Sequence, residues 1–296
     1  MFESIAHAIP EQTIQYQGVD LCIKRLDLVH PQISGNKFYK LKYNFIEAQK
    51  LGFKQVLSFG GAYSNHIAAT AYAAHLFGFG SLGIIRGEEL QHQSRNPTLA
   101  TAEQFGMQLS FVTRQLYREM KQVDALAQLQ QQYPEHYVIP EGGTNALAIR
   151  GCTEILSHEN QQNFDLICCA VGTGGTITGL IEASAEHQHV LGFSALKGNF
   201  LCDDVAQLTQ KTNWNISDEF CCGGYAKITP ELLQFMQDFE QRYAIPLEQV
   251  YTAKMLRGIF SMIERDQITD HQRVLVIHTG GLQGRLKGST EALKSV

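Results

Sequence analysis

An α/β protein with a largely parallel sheet is the fold this sequence predicts, and three observations predict it. Short apolar runs rich in β-branched residues alternate with longer helical patterns along the chain. Several of those runs end in glycine. At 296 residues the chain exceeds the usual span of one compact core, so one large domain or two smaller ones sharing a cleft are expected.

In chain order, an apolar stretch "VDLCIKRLDLV" (19–29) precedes "HPQISGNKFYKLKYN" (30–44), where Gly35 and Asn36 set a turn that presents Lys37. A helix is expected over "NFIEAQKLG", closed by Gly52. The run "QVLSFG" (55–60) reads as a strand, and "SNHIAATAYAAHLFG" as a helix that Ser64 or Asn65 caps and Gly78 ends. Strands are expected at "SLGIIRG" and "QLSFVTR", then a helix over "QVDALAQLQQQYPEH" that stops before Pro134. Further strands are expected at "YVIPEGG", "LICCAVG", "VLGFSAL" and "RVLVIHTGG". No internal repeat and no low-complexity tract interrupts the pattern.

Composition narrows the function. The net charge is -5 with basic residues scattered, which is not the footprint of a nucleic-acid binder. No apolar run approaches bilayer length, and "MFESIAHAIPEQ" has no signal-peptide pattern, so no membrane association and a cytoplasmic location are expected. Seven cysteines include the pairs Cys168-Cys169 and Cys221-Cys222 but no CxxC spacing, so we expect reduced thiols and no metal site. Cys168 and Cys169, inside "LICCAV", read as small core residues.

Four strand-terminal glycine motifs, "SFGGAYSNH", "PEGGTN", "AVGTGGTITG" and "IHTGGLQG", point to one shared cleft, because ligands of open α/β sheets bind outside the carboxyl ends of the strands. The loop "GTGGTITGL" (172–180) lies between a buried strand and a helix. Its glycines Gly172, Gly174 and Gly175 let backbone N–H groups close on an anion, and Thr173 and Thr176 add hydroxyl donors. A phosphate is the expected occupant. A dinucleotide fingerprint fails at Ile177, and a Walker A loop fails at Leu180. A phosphate-bearing cofactor that reacts with a lysine amine is pyridoxal 5'-phosphate. Lys37 is placed to react with it, although spacing alone does not select Lys37 over Lys40 or Lys42.

The motifs "SGNKFYKL", "FGGAYSNHIAATA", "PEGGTNALAIRG", "VGTGGTITGL", "GGYAK", "VYTAKM" and "HTGGLQG" occur in this order across almost the whole chain. Together they resemble the family of 1-aminocyclopropane-1-carboxylate deaminases and D-cysteine desulfhydrases, pyridoxal-phosphate enzymes of the tryptophan-synthase-β fold. That resemblance implies two open, mostly parallel α/β domains with the cofactor in the cleft between them. The larger would be 1–44 with 151–296, and the smaller, inserted one 45–150. It further implies that Lys37 is the Schiff-base lysine and that Lys40 supports the cofactor region. Asn65 would bond the cofactor's ring hydroxyl, and Ser64 would sit over the reacting face near the substrate carboxylate. His66 is either an active-site group that helps bind substrate or a residue of the helix cap. Tyr225 and Tyr251 match positions that line the substrate pocket, where a phenol can relay a proton. Family members are commonly homodimers.

Ring-opening deaminases of this family resemble one another in having Glu directly after the tyrosine matched by Tyr251, and Gln where this chain has His66. This chain has Thr252. In the desulfhydrase branch the neighbour of the pyridine nitrogen would be the "HTGG" motif, with Thr279 giving a neutral hydrogen bond. The expected activity is therefore α,β-elimination from D-cysteine, or a related β-substituted D-amino acid, to pyruvate, ammonia and sulfide. Rival readings are ring-opening deamination of aminocyclopropane carboxylate, a lyase for D-serine or L-cysteine, and a non-catalytic pyridoxal-phosphate carrier or regulator.

Overall fold

The computed structural model describes residues 1–120 and 125–285. Its strands are β1 (Glu11–Tyr16), β2 (Val19–Arg25), β3 (Gln55–Gly60), β4 (Gly80–Arg86), β5 (Met107–Val112), β6 (His136–Ile139), β7 (Leu166–Val171), β8 (His189–Ser194), β9 (Trp214–Ser217) and β10 (Val274–His278). They form two sheets, one ordered β1-β2-β10-β7-β8-β9 and the other β5-β4-β3-β6. Within them only β1 and β2 pair antiparallel.

Each of the seven apolar runs read as a strand is one. The reason is visible in β7 and β10, which are covered on both faces. Leu166, Cys168, Ala170, Val274 and Val276 pack into one core layer, while Ile167, Cys169, Val171, Leu275 and Ile277 pack into the other. Strands buried on both sides read as continuous apolar runs, not as alternation. All seven cysteines are free thiols, and Cys168 and Cys169 are wholly buried.

Three strands escaped that pattern. In β1, "EQTIQY", only Ile14 is fully buried. It is held by a two-residue turn in which Gln17 and Gly18 both have positive φ, the geometry that suits a tight hairpin. The strand β9 has four residues at the sheet's edge.

The helices are α1 (Asn36–Lys50), α2 (Asn65–Phe77), α3 (Pro97–Gln104), α4 (Arg114–Glu119), α5 (Ala125–Gln132), α6 (Ala146–Thr153), α7 (His158–Asn163), α8 (Gly175–Ala183), α9 (Phe200–Ala206), α10 (Pro230–Tyr243) and α11 (Thr252–Glu264). Two expectations change here. The helix expected from Asn44 already begins at Asn36, so Lys37 stands in the first turn of α1 and not on a turn before it. The helix expected from Gln122 is seen as α5, and residues 122–124 lie outside the described residues. No described helix is long and apolar enough to cross a membrane.

Helices α1, α6 and α8 stack closely because glycines face them. A Cβ on Gly151 would come within 2.0 Å of the Tyr39 carbonyl, and one on Gly179 within 2.3 Å of Cys152 Cβ. The expected bounds of the inserted domain, 45 and 150, fall inside α1 and α6, which flank the span of the second sheet. We propose that these two helices are the seam between two domains, each built on one sheet.

Candidate active site

The carboxyl ends of β3, β6, β7 and β10 open into loops that touch one another. A Cβ on Gly142 would lie 2.8 Å from Thr173 Oγ1, one on Gly175 2.9 Å from Thr144 Oγ1, and one on Gly281 2.6 Å from Asn65 Nδ2. The four glycine motifs therefore meet at one cleft.

Gly35 sets the position of Lys37. Its φ of 67° is a conformation that L side chains rarely adopt, and a Cβ there would sit 1.9 Å from the Thr279 carbonyl oxygen. Helix α1 can thus start directly against the end of β10, where Asn36 donates its N–H to Thr279 O at 3.2 Å. The Asn36 amide also donates to Thr176 Oγ1 at 2.8 Å, tying α1 to the start of α8. Lys37 Nζ donates to Asn36 Oδ1 at 3.3 Å. Enclosure by these elements, and then the charge of Lys40, push the Lys37 amine down to about 7.

Lys40, one turn on, is only 2% exposed. Its Nζ donates to Gly142 O at 3.0 Å, Thr144 Oγ1 at 3.1 Å and Thr173 Oγ1 at 3.3 Å, and the two hydroxyls share a hydrogen bond of 2.6 Å. Burial lowers its pKa, and no carboxylate is among these partners. Beside it, Gly174 caps α8 with φ 79°, and a Cβ on Gly175 would come within 3.1 Å of Lys40 Nζ. A helix start leaves its first N–H groups without intrahelical partners. A buried ammonium, hydroxyls and such N–H groups, in a cradle that a methyl group at 175 would fill, match the needs of a phosphate. Lys42 is elsewhere, paired with Glu154 and Glu3 at 2.7 Å each.

Ser64 is the N-cap of α2, its Oγ accepting from Ile67 N at 3.3 Å. Asn65 Oδ1 accepts from Gln283 Nε2 at 2.5 Å, which orients the amide. His66 is buried, with Nε2 2.8 Å from Ser58 Oγ, and burial holds it well below the usual imidazole range.

Across the cleft, Tyr225 and Tyr251 stand edge to face with ring centres 6.2 Å apart. A Cβ on Gly172 would meet the Tyr251 ring at 3.0 Å. Burial, and next Tyr225, raise the Tyr251 phenol well above its ordinary value. Thr279 is buried at the end of β10. Beneath it Arg25 donates to Asp27 at 2.9 and 2.7 Å, His278 Nδ1 lies 3.2 Å from Asp27, and His278 Nε2 donates to Pro246 O at 2.8 Å.

Thr252 is fully buried and turned away into a helix cap. Its Oγ1 accepts from Glu248 N at 3.0 Å, while the Glu248 carboxylate accepts from Val250 N at 2.7 Å and from Tyr251 N and Thr252 N at 2.6 Å each. Glu248, Asn36 and Thr144 were not expected at the site. Thr144 carried a signal in "PEGGTN"; Glu248 carried none, because its role depends on a carboxylate folding back on the next helix start.

The site residues come together around the cleft. Lys40, Thr144 and the 172–176 loop can seat a phosphate, Asn65 offers its amide N–H to a ring oxygen, and Lys37 offers an amine of lowered pKa to an aldehyde. That set fits pyridoxal phosphate.

Comparison with known proteins agrees. The chain is 32% identical over 90% of its length to a Thermotoga maritima protein carrying the provisional name 1-aminocyclopropane-1-carboxylate deaminase, 90% of which is covered. It is 29% identical over 90% of its length to the Arabidopsis thaliana bifunctional D-cysteine desulfhydrase/1-aminocyclopropane-1-carboxylate deaminase, covering 73% of that protein. Among solved structures, an ACC deaminase homologue superposes with a TM-score of 0.83 at 25% identity, covering 99% of this chain and 95% of that one. A tomato threonine deaminase at 15% identity, with TM-score 0.68, shares the fold. Residues 9–280 match the model of the pyridoxal-phosphate dependent enzymes, and with a lysine, a phosphate cradle and an oriented amide meeting in one cleft, the chain belongs to that family.

Proposed function

We propose that the protein is a lyase that eliminates sulfide from D-cysteine, or the equivalent group from a related β-substituted D-amino acid, giving pyruvate and ammonia. The observation that carries this is the position after Tyr251. It holds Thr252, whose hydroxyl is committed to Glu248, and the Glu248 carboxylate is itself committed to three backbone N–H groups. No carboxylate is delivered from position 252, so a pyridine nitrogen would find a neutral partner such as the Thr279 hydroxyl. A neutral partner is enough to expel a good leaving group after loss of an α-proton.

Bound pyridoxal phosphate supplies the electron sink for the α-carbon. Helix α2 presents the free N–H groups of its first turn, with the Ser64 hydroxyl, to the substrate carboxylate. Lys37, whose amine is pushed down to about 7 by enclosure and then by the charge of Lys40, is suited to take the α-proton as general base. Tyr251 keeps its proton at that pH and with Tyr225 can donate it to departing sulfide. Water then hydrolyses the released aminoacrylate, so D-cysteine and one water give pyruvate, ammonia and hydrogen sulfide.

Names carried by the relatives favour a second reading, ring opening of 1-aminocyclopropane-1-carboxylate to 2-oxobutyrate and ammonia. One experiment separates them: initial rates with D-cysteine, L-cysteine, D-serine and aminocyclopropane carboxylate, following pyruvate and 2-oxobutyrate. D-selective pyruvate release with sulfide is expected. Silence on D-cysteine with 2-oxobutyrate from the cyclopropane would replace the first reading by the second, and no product from any would point to a different amino acid or to a binding role. We also propose a homodimer; a monomeric mass by light scattering would exclude it.

A further inference from the structure

We infer that His66 is locked as the neutral tautomer protonated at Nε2, and that its bare Nδ1 is the acceptor for an O–H or N–H donor on the ligand held beside Lys37 and Lys40. This deepens, and rests on, the reading of the cleft as the ligand site.

Hydrogen-bond arithmetic fixes the tautomer. Ser58 Oγ lies 2.8 Å from His66 Nε2 and 2.9 Å from the Ile139 carbonyl oxygen, and both Ser58 and His66 are buried. A serine hydroxyl has one hydrogen. The carbonyl can only accept, so that hydrogen goes to Ile139 O and Ser58 Oγ accepts from Nε2–H. The opposite tautomer would leave two oxygens facing each other without a hydrogen and would bury an unpaired Nδ1–H donor, which native structures rarely tolerate.

The other nitrogen is then a lone pair without a partner. Nδ1 is buried and makes no hydrogen bond among the described residues. It lies at the glycine turn after β6: a Cβ on Gly143 would come within 3.4 Å of Nδ1 and 3.5 Å of Lys40 Cβ. The ring is also near enough to both lysines for their charges to disfavour a second proton, burial being the larger cause. A buried neutral acceptor in that position repels a bare carboxylate or phosphate oxygen and attracts a donor hydrogen. The substrate carboxylate is accordingly left to the N–H groups of α2, and the His66 ring reads a different part of the ligand.

The test is long-range proton–nitrogen NMR on protein carrying 15N-histidine. At neutral pH the His66 Nε2 is expected to be protonated and Nδ1 bare. Adding pyridoxal phosphate to apoprotein, or D-alanine to holoprotein, should then shift Nδ1 toward the hydrogen-bonded range; the addition that does so shows which molecule carries the donor. An Nδ1–H tautomer, an imidazolium, or an Nδ1 that answers to neither addition would overturn the inference. Ser58→Ala removes the lock, so both tautomers should become populated, and affinity for the molecule that shifts Nδ1 should fall in proportion to the Nε2–H fraction lost, about two-fold at an even mixture. His66→Gln, which retains an acceptor, should bind the molecule that shifts Nδ1 more tightly than His66→Leu does; equal binding of that molecule would also overturn it. These signals are read without turnover, so a failure on D-cysteine leaves them standing, and a wrong tautomer leaves the elimination reading standing.

Discussion

Lys37 shows how a single side chain trades stability for reactivity. An unfolded lysine titrates near ~10.4, whereas burial, and then Lys40, bring the folded amine to about 7. Between those values the unfolded chain binds a proton that the folded chain does not. Stability therefore falls as pH drops through that window and levels off below about 7. In apoprotein Lys37→Met should raise the denaturant midpoint, by a margin clearly larger at about pH 7 than at about pH 10. An equal gain at both would mean that packing, not the amine's charge, is responsible. The same variant should lose turnover on every amino acid while folding normally, as seen by circular dichroism and gel filtration.

At the scale of elements, the site is held by contacts that join distant parts of the chain. Lys254 on α11 is 2% exposed and donates to the carbonyls of Cys221 and Gly224 at 2.8 Å each, pinning the loop that carries Tyr225. That loop needs pinning, since Cys222, Gly223, Gly224 and Ala226 all have positive φ. Lys254→Met should take the ammonium partner from both carbonyls, leaving each only a backbone N–H, and cost about 2 kcal/mol of stability. Turnover should fall further than cofactor affinity, because the loop bears Tyr225, proposed to face the substrate, and none of the groups proposed to seat the phosphate. Equal losses in both would place the effect in global folding.

The same distinction explains what could be read from the sequence. Strands covered on both faces announce themselves as apolar runs, and glycines at their ends mark the cleft. An edge strand with one buried residue, a carboxylate that caps the next helix, and a lysine that reaches back 30 residues to a carbonyl leave no local pattern. Lys37 was legible as a residue but not in its setting. The sequence signal of Gly35 is a turn, yet in the structure its positive φ opens a helix against β10.

For the whole molecule, the arrangement around Lys40 matters most, because its partners come from both sheets: Gly142 and Thr144 follow β6, and Thr173 follows β7. A phosphate seated there would join the two sheets through one ligand. Ligand that binds only the folded chain stabilises it by about 4 kcal/mol at a thousand times its Kd, which for a chain of this size is a rise of about 10 °C in midpoint. Removing pyridoxal phosphate should therefore lower Tm by about that amount. Amide exchange should quicken in 141–144 and 172–176 together, since each loop loses the same partner. Faster exchange confined to one loop would show that the seat belongs to one sheet, and that the cofactor does not couple the two.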